Sequence, residues 1–271
     1  MGGQVAIITG SGQGIGEAAA HLFAKEGAKV VVNDLDKAKS DKVAADITSA
    51  GGVATSFPGD VTDPLFPDQI LEHTIKTFGK LNIIVNNAGY TWDGMLHKIT
   101  DKQWNAILEV HNTAPFRMIR SAAPYMREAG KNEKDQKLPV EPRCIVNVSS
   151  TSGLHGNVGQ ANYSTAKMGI VGLTKTVAKE WGPFGIRCNS IAFGYIDTRL
   201  TRPKSQDASI VIDGSKVALG IPGGGTRDVS HIPLHRGGTV ADAAGALLFL
   251  CSPLASYVTG HCLEVTGGLG I

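Results

Sequence analysis

Residues 5–9 (VAIIT) form a continuous apolar run, and Gly10-Ser11-Gly12-Gln13-Gly14-Ile15-Gly16 follows at once. Such a run suits a strand covered on both faces. Residues 17–26, closed by Gly27, then read as a helix. Strand, glycine turn and helix in that order admit few folds, because they open a parallel sheet whose crossovers are helices. Glycines let the backbone come close to a diphosphate, and a helix N-terminus favours its charge. An ordinary tight turn could use the same glycines; the flanking strand and helix favour a dinucleotide cradle.

The rest of the chain repeats the alternation. Residues 29–33 (KVVVN) form the second strand, with Asp34 just past its end. An acid there suits the ribose hydroxyls of a dinucleotide. Its charge would repel a 2′-phosphate, and neither Gln13 nor Leu35 compensates, so NAD is expected rather than NADP. Asp34 also suits the cap of the next helix, which is compatible with that role. Residues 36–50 read as a helix, 53–57 as the third strand, Gly59-Asp60-Val61-Thr62 as a turn and 67–78 as a helix. Residues 81–85 (LNIIV) lead into Asn86-Asn87-Ala88-Gly89, whose Asn side chains can tie strand ends together. A long helix lies within 101–127, bent near Pro115. Residues 129–142 are polar and aperiodic and read as an exposed loop.

A strand over 144–148 ends at Ser149 and Ser150. A glycine-rich loop follows, and then Ala166, Ile170, Leu173, Val177 and Trp181 recur at helical spacing. Residues 186–193 form another strand, 240–251 a helix and 261–265 the last strand. Between them, residues 199–238 are rich in Gly and Pro and weakly patterned; a loop that long reads as a substrate lid. The whole chain, 1–271, is therefore expected to be one α/β domain: a single doubly wound parallel sheet with helices on both faces.

Tyr163 and Lys167 lie four apart in the helical stretch and so share one face, one turn apart. Ser150 sits at a strand's C-terminal end, where open α/β sheets present their chemistry. A phenol is a poor base at neutral pH, and a nearby cation lowers its pKa. Lys167 and an oxidised nicotinamide can both supply that charge, while Ser150 holds the substrate oxygen and Tyr163 moves the proton. The pair also arises by accident in chains of this size, so its weight depends on the nucleotide turn.

Bulk properties exclude other classes. With 42% apolar and 18% charged residues and a net charge of +2, nothing argues for nucleic acid or an acidic membrane surface. Cys144, Cys188, Cys251 and Cys262 are scattered and read as reduced core residues. No apolar run reaches membrane-spanning length, and the start of the chain reads as a strand rather than a signal peptide. A cytoplasmic protein is expected. His231 and His235 flank Pro233, against a helical metal pair. Tyr90, Trp92, His97, His155 and Tyr195 fall on loops that should border a substrate pocket.

TGSGQGIG (9–16), Asp34, Asp60-Val61, NNAG (86–89), Ser150, Tyr163-x-x-x-Lys167 and the Gly194/Thr198 segment together resemble the short-chain dehydrogenase/reductase family over essentially the whole chain. GQANYSTAK and VTGHCLEVTGG are most similar to its 3-oxoacyl reductase-like members. The resemblance implies a Rossmann fold, a general acid/base at Tyr163, an orienting Ser150, and a Lys167 that binds the nicotinamide ribose. It implies that Gly10, Ser11, Gly12, Gln13, Gly14, Ile15 and Gly16 line the cofactor site. Asp34, Leu35, Asp60, Val61, Asn87, Ala88, Gly89, Ile196 and Thr198 would line it too. The same resemblance suggests a homo-oligomer, a tetramer or a dimer.

Two positions depart from the family pattern. His111 aligns where the family carries an Asn that holds a water in the proton relay. A neutral imidazole could hold that water too, and its ordinary pKa of ~6.5 would add a pH dependence; a hydrogen-bonded core histidine is the alternative. Phe193 replaces the usual Pro before Gly194 and is expected to fill the strand end. The expected activity is interconversion of a secondary alcohol and a ketone with NAD(H), with a 3-oxoacyl thioester as the first substrate to test. A small, sugar or steroid-like alcohol is the alternative substrate. A retired enzyme that binds the nucleotide as a scaffold is the rival from another class.

Overall fold

The computed structural model describes residues 1–202, 209–212, 214–220 and 228–270. In chain order these form β1 (Val5–Ile8), α1 (Gly14–Lys25), β2 (Lys29–Val32), α2 (Lys37–Ser49), β3 (Val53–Ser56), α3 (Phe66–Phe78) and β4 (Ile83–Asn86). Then come α4 (Asp101–Leu108), α5 (Ala114–Ser121), α6 (Ala129–Asp135), β5 (Arg143–Ser150), α7 (Thr151–His155), α8 (Ala161–Trp181) and β6 (Ile186–Phe193). The chain closes with β7 (Ser209–Ile212), β8 (Ser215–Ala218), α9 (Val240–Cys251) and β9 (Cys262–Val265).

Seven strands form one sheet in the order β3-β2-β1-β4-β5-β6-β9, and every neighbouring pair is parallel. The fold is the expected doubly wound α/β sheet. Alternate side chains of each strand feed two separate cores. Ala6, Ile8, Val30, Val32, Ile83 and Val85 pack with Phe23 of α1, Ile47 of α2 and Leu247 of α9. Ile7, Val31, Ile84 and Ile145 point the other way, onto Ile70 of α3, Met118 of α5 and Trp181 of α8. Burial on both faces explains why these strands read as unbroken apolar runs. The order reverses between β1 and β4, and Gly10 and Asn87 meet there, at the strands' C-terminal edge. That reversal is where open α/β sheets bind ligands.

Capping follows the sequence. The Asp36 side chain accepts N–H bonds from Ala38 and Lys39, and Thr100 with Gln103 and Thr239 with Asp242 form capping boxes. The bend expected near Pro115 is a π-turn over Glu109–Thr113, in which the Ala114 N–H reaches back to the Glu109 carbonyl. Pro115 has no N–H for the His111 carbonyl, so the ordinary spacing cannot continue through this turn.

Three expectations change. Residues 129–142 are not simply an exposed loop, because Ala129–Asp135 is helical. Glu133 of that helix bonds the buried Arg143 guanidinium at 2.9 Å and the Glu141 N–H at 2.9 Å. Glu133 and Glu141 are paired, while Lys131, Lys134, Asp135 and Lys137 are exposed as expected. The loop after Ser150 contains α7, capped by the Ser150 hydroxyl accepting from the Ser152 N–H at 3.2 Å. Within 199–238, β7 and β8 form an antiparallel hairpin; the parts of that segment at 203–208, 213 and 221–227 lie outside the described residues. Among the described residues no helix is long and apolar enough to cross a membrane.

Candidate active site

The glycine turn has the shape of a cradle. Gly10 and Gly14 each have φ +63, where a side chain is strained. A Cβ at Gly10 would sit 2.7 Å from Ala88 Cα, and one at Gly12 would sit 2.8 Å from Asp34 Oδ2. Ser11 fixes the turn by donating to the Ile8 carbonyl at 2.7 Å and accepting the Asn33 N–H at 3.1 Å. Asn87, just past β4, does the same, donating to the Thr9 and Gly10 carbonyls at 2.9 and 3.0 Å. The Thr9 hydroxyl, which the sequence did not single out, accepts the N–H of both Asn87 and Ala88. Gln13, Gly14 and Ile15 remain part-exposed at the mouth. The arrangement fits a dinucleotide: bare backbone faces the helix N-terminus where its diphosphate would rest.

Asp34 is buried, and its carboxylate accepts the Gly12 N–H at 3.1 Å and the Asp36 N–H at 3.0 Å. Leu35 is exposed and offers no charge. Positive charge is nevertheless close by, contrary to the expectation of an uncompensated acid. Lys39 crosses beside Gly12 and Asp34, its ammonium 3.2 Å from Gln13 Oε1. Arg199 lies within the field of Asp34. Both were invisible in a search confined to the neighbours of Asp34 in sequence. Asp60 is exposed and caps its own turn through the Thr62 N–H and hydroxyl, with Val61 half-buried behind it.

At the end of β5 the three expected groups converge. The Ser150 hydroxyl favours the ionised form of the Tyr163 phenol, but burial dominates and pushes the phenol up to about 12. The Lys167 ammonium lies 5.6 Å from the Tyr163 ring centre and donates to the Val148 carbonyl at 2.7 Å. Burial pulls Lys167 down to about 7. The expected lowering of the phenol by its lysine is therefore absent here: both groups are desolvated, and desolvation disfavours both charged forms. Asn162, unremarked in the sequence, holds the start of α8. Its amide donates to the Trp92 and Gln103 carbonyls, and its Oδ1 accepts the Tyr163 N–H at 2.8 Å.

His111 reaches this group from the π-turn. Its ring meets Tyr163 edge-on, with centroids 5.2 Å apart. Nε2 donates to the Tyr90 carbonyl at 2.8 Å, which leaves Nδ1 as a lone-pair acceptor. That nitrogen is buried without a partner among the described residues. Burial, then the Lys167 charge, holds His111 well below the ordinary imidazole range. The pH dependence expected of His111 is thereby removed, since the ring stays neutral. Asn112 faces the opposite way and donates to the Ala166 carbonyl at 2.9 Å.

Of the other loop residues, Tyr90 and Trp92 join Tyr163, Ile107, Val110 and Leu219 in an apolar cluster, capped by Ile210 and Ile212 of the hairpin. Ile196 is buried and pairs with Gly238, and the Thr198 N–H donates to the Thr201 hydroxyl at 2.9 Å. Phe193 fills the core beside Ile191 and Leu247. His97 is exposed on its loop, Tyr195 packs on Gly237, and His155 lies 3.5 Å from Glu264. His231 and His235 are both exposed.

Residues 10–270 match the family described as enoyl-(acyl carrier protein) reductase, and the chain belongs to the short-chain dehydrogenase/reductase family. It is an oxidoreductase of ketones or alcohols that works with a nicotinamide dinucleotide. Among its relatives, the 3-oxoacyl-(acyl-carrier-protein) reductase FabG of Thermotoga maritima is 35% identical over 269 residues, 99% of this chain and 98% of the relative. The 3-oxoacyl-(acyl-carrier-protein) reductase of Synechocystis is 34% identical, covering 98% and 96% of the two chains. FabG of Escherichia coli K12 is 33% identical, covering 98% and 97%.

Proposed function

We propose that the protein interconverts a 3-oxoacyl thioester and the corresponding 3-hydroxy compound, with NAD(H) as the preferred cofactor. The single observation that carries the chemistry is the phenol of Tyr163, set with Ser150 and backed by Lys167 at the edge where the glycine turn opens. The relatives' names support the substrate class. When bound, the nicotinamide supplies or accepts the hydride at the substrate carbon. The chain's own residues do the rest. Ser150 hydrogen-bonds the substrate oxygen, and Tyr163 donates its proton to that oxygen as the carbonyl becomes a hydroxyl. A phenol held near 12 is protonated at every working pH, so the resting site is set for reduction.

Gly10 to Gly16 would cradle the diphosphate, Asp34 would accept the ribose hydroxyls, and Lys167 would turn from the Val148 carbonyl to the nicotinamide ribose. Ile196, Thr198 and the Asn87–Gly89 backbone would border the nicotinamide. His111 is a positioning residue: its free Nδ1 accepts a proton-relay water, while the Tyr90 carbonyl fixes its tautomer. The β7–β8 hairpin would cover the substrate, with Ile210 and Ile212 excluding water from the Tyr163 side. Exposed Phe249, Leu254 and Tyr257 near the end of α9 support assembly of several copies; light scattering tests for the tetramer.

NADH oxidation with a panel of 3-oxoacyl thioesters, simple ketones and steroid-like ketones tests the reading. Turnover should be highest with the thioesters and fall by about a hundredfold or more in Tyr163→Phe. Equal turnover in parent and variant would remove Tyr163 from the chemistry. NADH binding without turnover of any ketone would turn the reading to a nucleotide-binding scaffold.

A further inference from the structure

Hairpin β7–β8 has two unlike faces. Its strands pair antiparallel with Ile210 opposite Val217, and residues opposed in this way share a face. Ile210, Ile212 and Val217 therefore point one way, and Leu219 continues the alternation just past β8. Val217 and Leu219 are 3% and 0% exposed, whereas Val211 on the other face is 65% exposed. A lone two-stranded hairpin is marginal in water, so the inner face needs a partner. It finds one at the active site. Leu219 joins Tyr90, Ile107 and Val110 in one buried cluster, and Ile210, Ile212, Trp92 and Tyr163 pack against that cluster. These last four side chains are covered only in part. An apolar seam, open along one edge, thus lies beside the Tyr163 ring.

The hairpin side chains in this seam carry no polar atom, and that decides which part of a substrate they can take. A sugar laid against them would give up hydrogen bonds to water with none in exchange. An alkyl chain gives up none, and each methylene it buries favours the bound state. A thin seam between side chains also suits a flexible chain better than a fused ring system, which fills a preformed cavity of roughly 300 Å3 or more. We propose that the inner face of β7–β8, together with Trp92, is an alkyl-chain subsite continuous with the Tyr163 phenol, and that it selects substrates by chain length. This rests on the thioester reading of the site, in which the ketone carbon is held at Tyr163 and its alkyl arm runs along Ile210 and Ile212.

The test is NADH oxidation with 3-oxoacyl thioesters of four, eight and twelve carbons on one thiol carrier, in the parent, Ile212→Ser, Ile212→Val, Ile210→Trp and Val211→Ser. In the parent, kcat/KM should rise by about tenfold or more from the shortest chain to the longest, the gain from burying a few methylenes. The rise should appear in KM rather than in kcat. Ile212→Ser should remove most of it and Ile212→Val should keep it. Ile210→Trp, which fills the seam, should turn the preference to the four-carbon substrate. Val211→Ser, altered on the outer face, should follow the parent at every chain length. Equal kcat/KM along the series in the parent would overturn the proposal and leave the thioester reading standing. So would a rise that survives both Ile212→Ser and Ile210→Trp. A parent that turns over none of the thioesters but reduces another ketone would remove the thioester reading, and this subsite with it. Melting of each variant and fluorescence titration with NADH guard against misfolding, and Ile210→Trp keeps the test decisive if Ile212→Ser does not fold.

Discussion

The Lys167 ammonium sits 5.6 Å from the centre of the Tyr163 ring, one helical turn away, yet its hydrogen bond goes to the Val148 carbonyl. Without a cofactor the two groups are neighbours in a shared desolvated space rather than an ion pair. Lys167 is pulled down to about 7 and Tyr163 pushed up to about 12. Reduction uses the phenol as it rests, whereas oxidation of an alcohol needs the reverse movement, which the positive ring of an oxidised nicotinamide would favour.

That arrangement has a signature in stability. Between pH 7 and about 10.5 the unfolded chain holds a proton on Lys167 that the folded chain has released. Stability therefore rises with pH across this window, by at most about 1.4 kcal/mol per unit. Below pH 7 both states are protonated and the burial penalty is fully present. Chemical denaturation of the cofactor-free protein at pH 7.5 and 9 should show the rise, and Lys167→Met should flatten it. Parallel profiles would mean that Lys167 is better hydrated than its burial indicates.

Asp34 sets a second expectation. Its carboxylate, held toward Gly12 by the N–H bond at 3.1 Å, favours ribose hydroxyls over a 2′-phosphate. NADH should bind more tightly than NADPH, and Asp34→Ala should narrow the gap by about tenfold or more, as expected when a charge-assisted contact is removed. A parent that prefers NADPH would show that Lys39 and Arg199 outweigh the acid.

The strands and the Ser150, Tyr163 and Lys167 cluster could be read from the sequence because local pattern determines them. An unbroken apolar run means burial on both faces, and spacing of four on a helix means one shared face. What could not be read depends on partners distant in sequence. Glu133 looked solvated because Arg143 lies beyond a polar stretch with no periodicity. Arg199 and Lys39 approach Asp34 from other elements. His111 could be aligned from its distance to NNAG, but its neutrality comes from burial and from Lys167, which only folding brings near. Hairpin β7–β8 escaped detection because its strands span only Ser209–Ile212 and Ser215–Ala218.

The Glu133–Arg143 contact makes a stability prediction away from the site. Arg143 is 5% exposed, and its nearest alternative, Glu141, is 3.7 Å away. Glu133→Ala should destabilise the fold by about 2 kcal/mol, below the usual figure for stranding a buried charge because Glu133 itself is partly exposed. Arg143→Met together with Glu133→Leu should recover most of the loss, because it removes the buried charge rather than stranding it. Denaturant midpoints at constant slope would measure both.

Gly89 and His111 make the sharpest test of how the site is assembled. A Cβ built at Gly89 would overlap the His111 ring at Cε1 and lie 2.8 Å from Nδ1. The imidazole cannot retreat without giving up its bond to the Tyr90 carbonyl at 2.8 Å. Gly89→Ala should therefore cost about 1–3 kcal/mol, the usual range for overpacking a closed site. His111→Ala removes the ring and leaves room for that methyl group. In a double-mutant cycle, adding Gly89→Ala to His111→Ala should cost far less than it does in the parent, a coupling of about 1 kcal/mol or more. Additive costs would mean that the two do not meet. His111→Asn adds a functional arm: it should keep most of the activity and leave the pH–rate limbs unmoved, because His111 is neutral throughout. An acid limb that disappears in His111→Asn would instead show that the ring titrates, and that the lone pair at Nδ1 is protonated during turnover.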